Sequence, residues 1–149
     1  MLIDSEDVKQ AIIENLLILF PGVAVYKEAK TTPEYPHFFV YQINLSDTEE
    51  RKDFHILSYS MEIRYRVASD PSTDLKLEQN LDNMSLKLLQ GFTIIDFEDE
   101  KIRCTNKSIE KVDGVLHFTF DIQILVKYIS DEEKIPMNKL DINTNMEEE

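Results

Sequence analysis

Residues 54–67 alternate so strictly that they leave the chain few ways to fold. Leu57, Tyr59, Met61, Ile63, Tyr65 and Val67 make an apolar row, with Ser58, Ser60, Glu62, Arg64 and Arg66 as a polar row between them. A period of two over this length is a β-strand with one face buried and the other turned to water or to a partner. Residues 116–128 repeat the pattern with Leu116, Phe118, Phe120, Ile122, Ile124, Val126 and Tyr128. Strands this long need neighbours, because a lone strand leaves its backbone donors and acceptors unpaired. The pattern predicts a half-buried, antiparallel sheet.

Helical spacing frames it. Asp4 or Ser5 can cap a helix whose first turn holds Glu6 and Asp7, the charges that a helix N-terminus favours. Val8, Ala11, Ile12, Leu16, Leu19 and Phe20 recur on one side, and Pro21-Gly22 stops the run. Ile13, Leu17 and Ile18 widen the apolar arc, which suits a helix wedged deeply against a sheet or one that touches another copy. A second helix is predicted after Ser69-Asp70-Pro71, with Leu77, Leu81, Met84 and Leu88 on one face and Gly91 at its end. Shorter strands are expected at 23–26, 37–45, 92–97 and 102–112, the last at an edge. Asp113-Gly114 is a hairpin signal, since both central positions of a type I′ turn need positive φ. Residues 46–53 read as a charged hairpin tip, either simply solvated or a protruding arm.

The fold class expected is α+β: a mostly antiparallel twisted sheet with two main helices. A single domain should occupy residues 1–129. Residues 130–149 hold seven acids against Lys134 and Lys139, and are expected to be mobile or ordered only against a neighbour. The formal net charge of −13 repels phosphate backbones, so binding to nucleic acid is not expected. No apolar run approaches a membrane span, and the first residues lack a secretory signal. The lone Cys104 fits a reducing compartment. Folding in the cytoplasm is the expectation.

Residues that could carry chemistry are sparse. His37, His55 and His117 are far apart, and no Cys or second His stands at a metal-ligand spacing. Cys104 has no helix start in the sequence to activate it, so a buried small hydrophobe is expected. Asp96, Glu98, Asp99 and Glu100 cluster at one turn but lack the glycine and ligand spacing of a calcium loop. With three glycines in the chain there is no phosphate-cradling loop. No catalytic residue, metal or cofactor is assigned. The strands do carry apolar residues on their second faces, namely Phe38, Val40, Ile56, Val115 and Leu125. Two helices cover both sides of a long sheet with difficulty, so copies of the chain are expected to complete its faces or edges.

The order of elements then becomes specific. A capped helix and short strand lead to Tyr35-Pro36-His37-Phe38-Phe39-Val40, then a charged tip with Glu49-Glu50-Arg51. Ser58-Tyr59-Ser60-Met61-Glu62-Ile63-Arg64-Tyr65, a Leu-rich helix and a hairpin of long strands follow. From Asp4 to Tyr128 this resembles the tail-terminator family of long-tailed phages and phage-tail-like particles such as contractile tail bacteriocins. The resemblance implies a structural protein without a cofactor, a homohexameric ring that sits on the last ring of tail-tube protein and halts its growth. It also implies contact with the head-proximal connector and, in contractile particles, with the sheath protein. On this reading Glu49, Glu50, Arg51 and Lys52 reach the tube, while Phe38 and Val40 meet a neighbouring copy. A head-completion or other neck protein of the same particles shares size and charge with this chain. A small enzyme or ligand-binding domain with a pocket between sheet and helices is the alternative from another class.

Overall fold

The computed structural model describes residues 4–28, 32–68, 74–97 and 100–127. The Ser69-Asp70-Pro71 helix start, Glu98 and Asp99 of the acidic turn, Tyr128 and the acidic tail lie outside the described residues.

Helix α1 (Ser5–Leu19) starts where the chain supplies reciprocal caps. Asp7 N–H donates to Asp4 Oδ1 at 2.8 Å, and Asp4 N–H donates to Asp7 Oδ2 at 3.0 Å. Donors that helix geometry leaves unpaired are thereby satisfied, and both carboxylates sit at the positive end of the helix. Val8, Ala11, Ile12 and Leu16 are buried, whereas Leu17 and Ile18 are 47% and 78% exposed. The helix buries one stripe, narrower than the wide apolar arc suggests.

The chain continues through β1 (Ala24–Tyr26), β2 (His37–Arg51), β3 (Phe54–Arg66), α2 (Asp74–Gly91), β4 (Ile94–Phe97), β5 (Glu100–Val112) and β6 (Val115–Lys127). The strands form one six-stranded sheet in the order β1-β2-β3-β6-β5-β4. A two-residue connection makes β2 and β3 antiparallel, as are β4 with β5 and β5 with β6. Ser60 bonds Asp121 and Glu62 bonds His117. The partners step in opposite chain directions, so β3 and β6 are antiparallel too. The sheet is nevertheless mixed rather than purely antiparallel. β1 runs parallel to β2, with Ala24 opposite His37 and Tyr26 opposite Phe39.

Turn chemistry fixes the two long hairpins. Asp113 and Gly114 have φ of 51° and 76°, the two positive values that a type I′ turn requires. The charged run is not a loop: β2 extends to Arg51, leaving Lys52-Asp53 as the turn, with Asp53 at φ 67°.

Described residues divide between two compact units, one within Met1–Ser46 and Ser58–Gln123, the other within Asp47–Leu57 and Ile124–Glu149. The core of the first takes the odd row of β3 (Tyr59, Met61, Ile63, Tyr65), the even row of β6 (Leu116, Phe118, Phe120, Ile122) and Leu81, Met84 and Leu88 of α2. Phe92 closes it, with ring centroids 5.7 Å from Phe118 and 5.5 Å from Phe120. Both helices lie on this face. Tyr65 donates its hydroxyl to Asn80 of α2 at 3.2 Å, and its ring meets Phe38, which in turn packs on Phe20 at the end of α1. Asn15 Nδ2 donates to the Gly91 carbonyl at 3.2 Å, joining the helices to each other.

This arrangement corrects the face assignment of β2. Phe38 and Val40 are 0% and 1% exposed, and Phe38 packs within the chain on Phe20 and Tyr65. Val115 is buried as well, and Ile56 is partly buried, leaving Leu125 of the second unit as the open member of that set.

Candidate functional site

The face of the first unit opposite the helices carries no covering element among the described residues. Its middle is a polar network assembled from four strands. The Arg64 guanidinium lies 4.4 Å from the centre of the Tyr41 ring and donates from Nε to Glu62 Oε1 at 2.8 Å. His117 Nδ1 is 3.0 Å from the other oxygen, Glu62 Oε2, and donates to it in the tautomer that carries hydrogen there. One step along, Ser60 Oγ donates to Asp121 Oδ1 and Asn106 Nδ2 donates to Asp121 Oδ2, both at 2.8 Å. The Glu62 side chain is 12% exposed, His117 21% and Arg64 42%. A half-buried carboxylate is tolerable here because both oxygens have charge-assisted or polar partners.

A Glu–His pair can orient a catalytic base, but a base needs a reacting group in reach. A cavity of about 270 Å³ is lined by Tyr35, Arg66, Val67, Leu77, Asp113, Gly114 and Val115, and contains none of the histidines. His37 is 1% exposed among Tyr26, Tyr35 and Phe39, donating from Nδ1 to the Glu34 carbonyl at 2.8 Å. His55 Nδ1 bonds Asp47 at 2.7 Å. Cys104 is 4% exposed, and burial pushes its thiol up to about 12, outweighing the opposing pull of the Lys107 cation. It is held as a protonated thiol, not a nucleophile. Among the described residues no group of three His, Cys, Asp or Glu could hold a metal ion.

The first unit instead offers bare surface. Ile43 and Leu45 of β2 are 56% and 43% exposed. The flanks of the sheet are also short of partners. β1 matches only His37, Phe38 and Phe39 of β2, and β4 matches only Glu100 to Arg103 of β5.

In the second unit Glu49, Glu50, Arg51 and Lys52 are all exposed, as part of a strand and its turn rather than a loop. The Arg51 guanidinium rests 4.5 Å from the centre of the Phe54 ring, and Lys127 Nζ stands 5.7 Å from it. Phe54 thus holds two cations by its ring face, while the carboxylates of Glu49 and Glu50 point to no ion-pair partner among the described residues. Sequence reading singled out these four side chains, which stand exposed. It missed the Glu62–His117 pair, whose members stand 55 positions apart and give no local signal.

No described helix is long and apolar enough to cross a membrane. A family model described as phage tail terminator protein matches residues 7–135. No curated protein matches the chain at a significant level.

Proposed function

With that match running from the first turn of α1 past the end of β6, the chain belongs to the phage tail terminator family, and on this premise we propose that it works as one sixth of a ring that caps the tail tube. The family is one of structural tail proteins, so the chain is a component of the particle, associated with other tail parts. The finer reading is a homohexamer that forms in the host cytoplasm, docks on the last ring of tube protein and stops further addition, with the connector, and any sheath, meeting its other surfaces.

The mechanism is steric and cooperative. Six modest contacts on one rigid ring dock as a unit, because after the first contact the others act at high effective concentration. Head-to-tail contacts between identical copies close when their rotation does. The exposed Glu49, Glu50, Arg51 and Lys52 serve the tube contact in this scheme. The net charge of −13 keeps the rim of a central channel from holding passing DNA. The observation that carries the reading is the family match.

Electron microscopy of the purified protein tests the ring: six-fold particles are expected, and a strictly monomeric species at micromolar concentration rejects them. Replacing Glu49, Glu50 and Arg51 together by Ser should leave the rings intact and produce tails of uncontrolled length. Normal tail lengths from that variant would remove this segment from the tube contact.

A further inference from the structure

Both flanks of the sheet end in strands longer than the strands beside them. On one side β1 stops at Phe39, so β2 from residue 40 to 46 has no strand on its outer edge among the described residues. On the other side β4 stops at Arg103. Beyond it, backbone bonds from outside the strand ladders reach β5 at Cys104, whose N–H donates to the Thr93 carbonyl at 2.9 Å. The register of β5 on β6 breaks between Thr105 and Ser108, where Asn106 has φ 51°, and runs regularly from Ser108 to Val112. A row of unpaired backbone donors and acceptors is a template for another strand.

We infer that the open edge of β2 in one copy pairs with the open edge of β5 in the next, so that the sheet continues from subunit to subunit around the ring proposed above.

Strand direction selects this partner, and the exposed apolar side chains agree with it. The strand directions alternate through β2, β3, β6 and β5. Repeating that set brings β5 against the next β2 in antiparallel sense, the more stable ladder. In that sense β1 lies at one end of the joint and β4 at the other, so neither short strand blocks it. Charge does not choose the partner: Asp47, Glu49 and Glu50 of β2 lie beyond the open stretch 40–46, and on β5 Lys101 is already paired with Asp96 and Lys111 with Glu78 and Asp82. Exposed Ile43 and Leu45 on β2 also find the 42% exposed Val112 on the same face of the facing strand.

Disulfide trapping in the full-length protein separates this joint from the ring itself. Ile43→Cys is combined in one chain with Ser108→Cys, Glu110→Cys or Val112→Cys in turn, side chains of the same bare face of the sheet, three choices that cover neighbouring registers. Within a chain β3 and β6 separate β2 from β5. That is about 14 Å at roughly 4.8 Å per strand, beyond the ~7 Å Cα separation a disulfide spans. Any new disulfide therefore joins two molecules, and the protonated, buried Cys104 stays out of the exchange. The expected result at pH 8 is a ladder of covalent species larger than a dimer from at least one pair, absent from each single variant. Rings without such a ladder in any of the three pairs overturn the edge pairing and leave the ring standing. A ladder without six-fold particles supports the pairing and rejects the ring. Absence of both overturns the pairing.

Discussion

The two faces of the same sheet in the first unit are built on opposite principles. On the helix side Tyr59, Met61, Ile63 and Tyr65 of β3 are between 0% and 3% exposed, and rings and aliphatic chains fill the space. On the other side Ser60, Glu62 and Arg64 of the same strand stay half-buried and spend their side chains on each other and on β2 and β6. Dispersion and the removal of apolar surface from water hold the first face. Directional, charge-assisted bonds tie the strands together on the second without asking for a cover. The difference teaches that bareness here is built in: the uncovered face is furnished with polar groups that satisfy one another.

The contrast has measurable limits. Phe118→Ala removes a ring that is 0% exposed and stacked 5.1 Å from Phe120. It should cost about 3–5 kcal/mol in urea unfolding. Its neighbour on the opposite face, Thr119→Ala, should stay within about 0.5 kcal/mol. Equal losses at the two positions would break the comparison. Glu62→Gln sharpens it from the polar side. Losing the charge that Arg64 and His117 share should cost about 1–2 kcal/mol, at the low end for charge-assisted bonds because Arg64 is part exposed. An unchanged unfolding midpoint would mean that the network is ornamental. The smallest effect is expected where the helices meet. A methyl group at Gly91 would stand 2.5 Å from Leu19 Cδ1, but that atom ends a flexible side chain that is 37% exposed. Gly91→Ala also gains up to about 1 kcal/mol of helix propensity, so the net change should fall within about 1 kcal/mol. A loss of several kcal/mol would show the covering layer to be far stiffer than its exposure suggests.

What could be read from the sequence follows from how local each signal is. The alternation of β3 and β6, the Asp4 cap and the Asp113-Gly114 turn are set by residues a few positions apart, and they stand in the structure as the pattern predicts. β2 was misread because both of its rows are apolar. Phe39, Tyr41, Ile43 and Leu45 make the longer row, yet the helices take the shorter one with Phe38 and Val40, through Phe20 and Tyr65. Nothing within the strand distinguishes the rows; the choice is made by elements far along the chain. The extension of β2 through Asp47, Glu49 and Glu50 was hidden for a similar reason, since acids are poor strand formers by composition and only the opposing strand β3 holds them extended. The residues proposed for contacts divide the same way. Glu49, Glu50, Arg51 and Lys52 announce themselves by charge and exposure, whereas the free flanks of β2 and β5 depend on how far β1 and β4 happen to reach.

Those short outer strands have a consequence during synthesis in a crowded cell. A molecule with bare strand flanks is open to capture by any extended polypeptide nearby, and the danger grows with copy number. The surplus of thirteen negative charges works against premature encounters, because like-charged molecules keep their distance at low ionic strength and less so as salt rises. Clumping of the free protein should therefore increase with added salt, the reverse of what an assembly held by surface ion pairs would do.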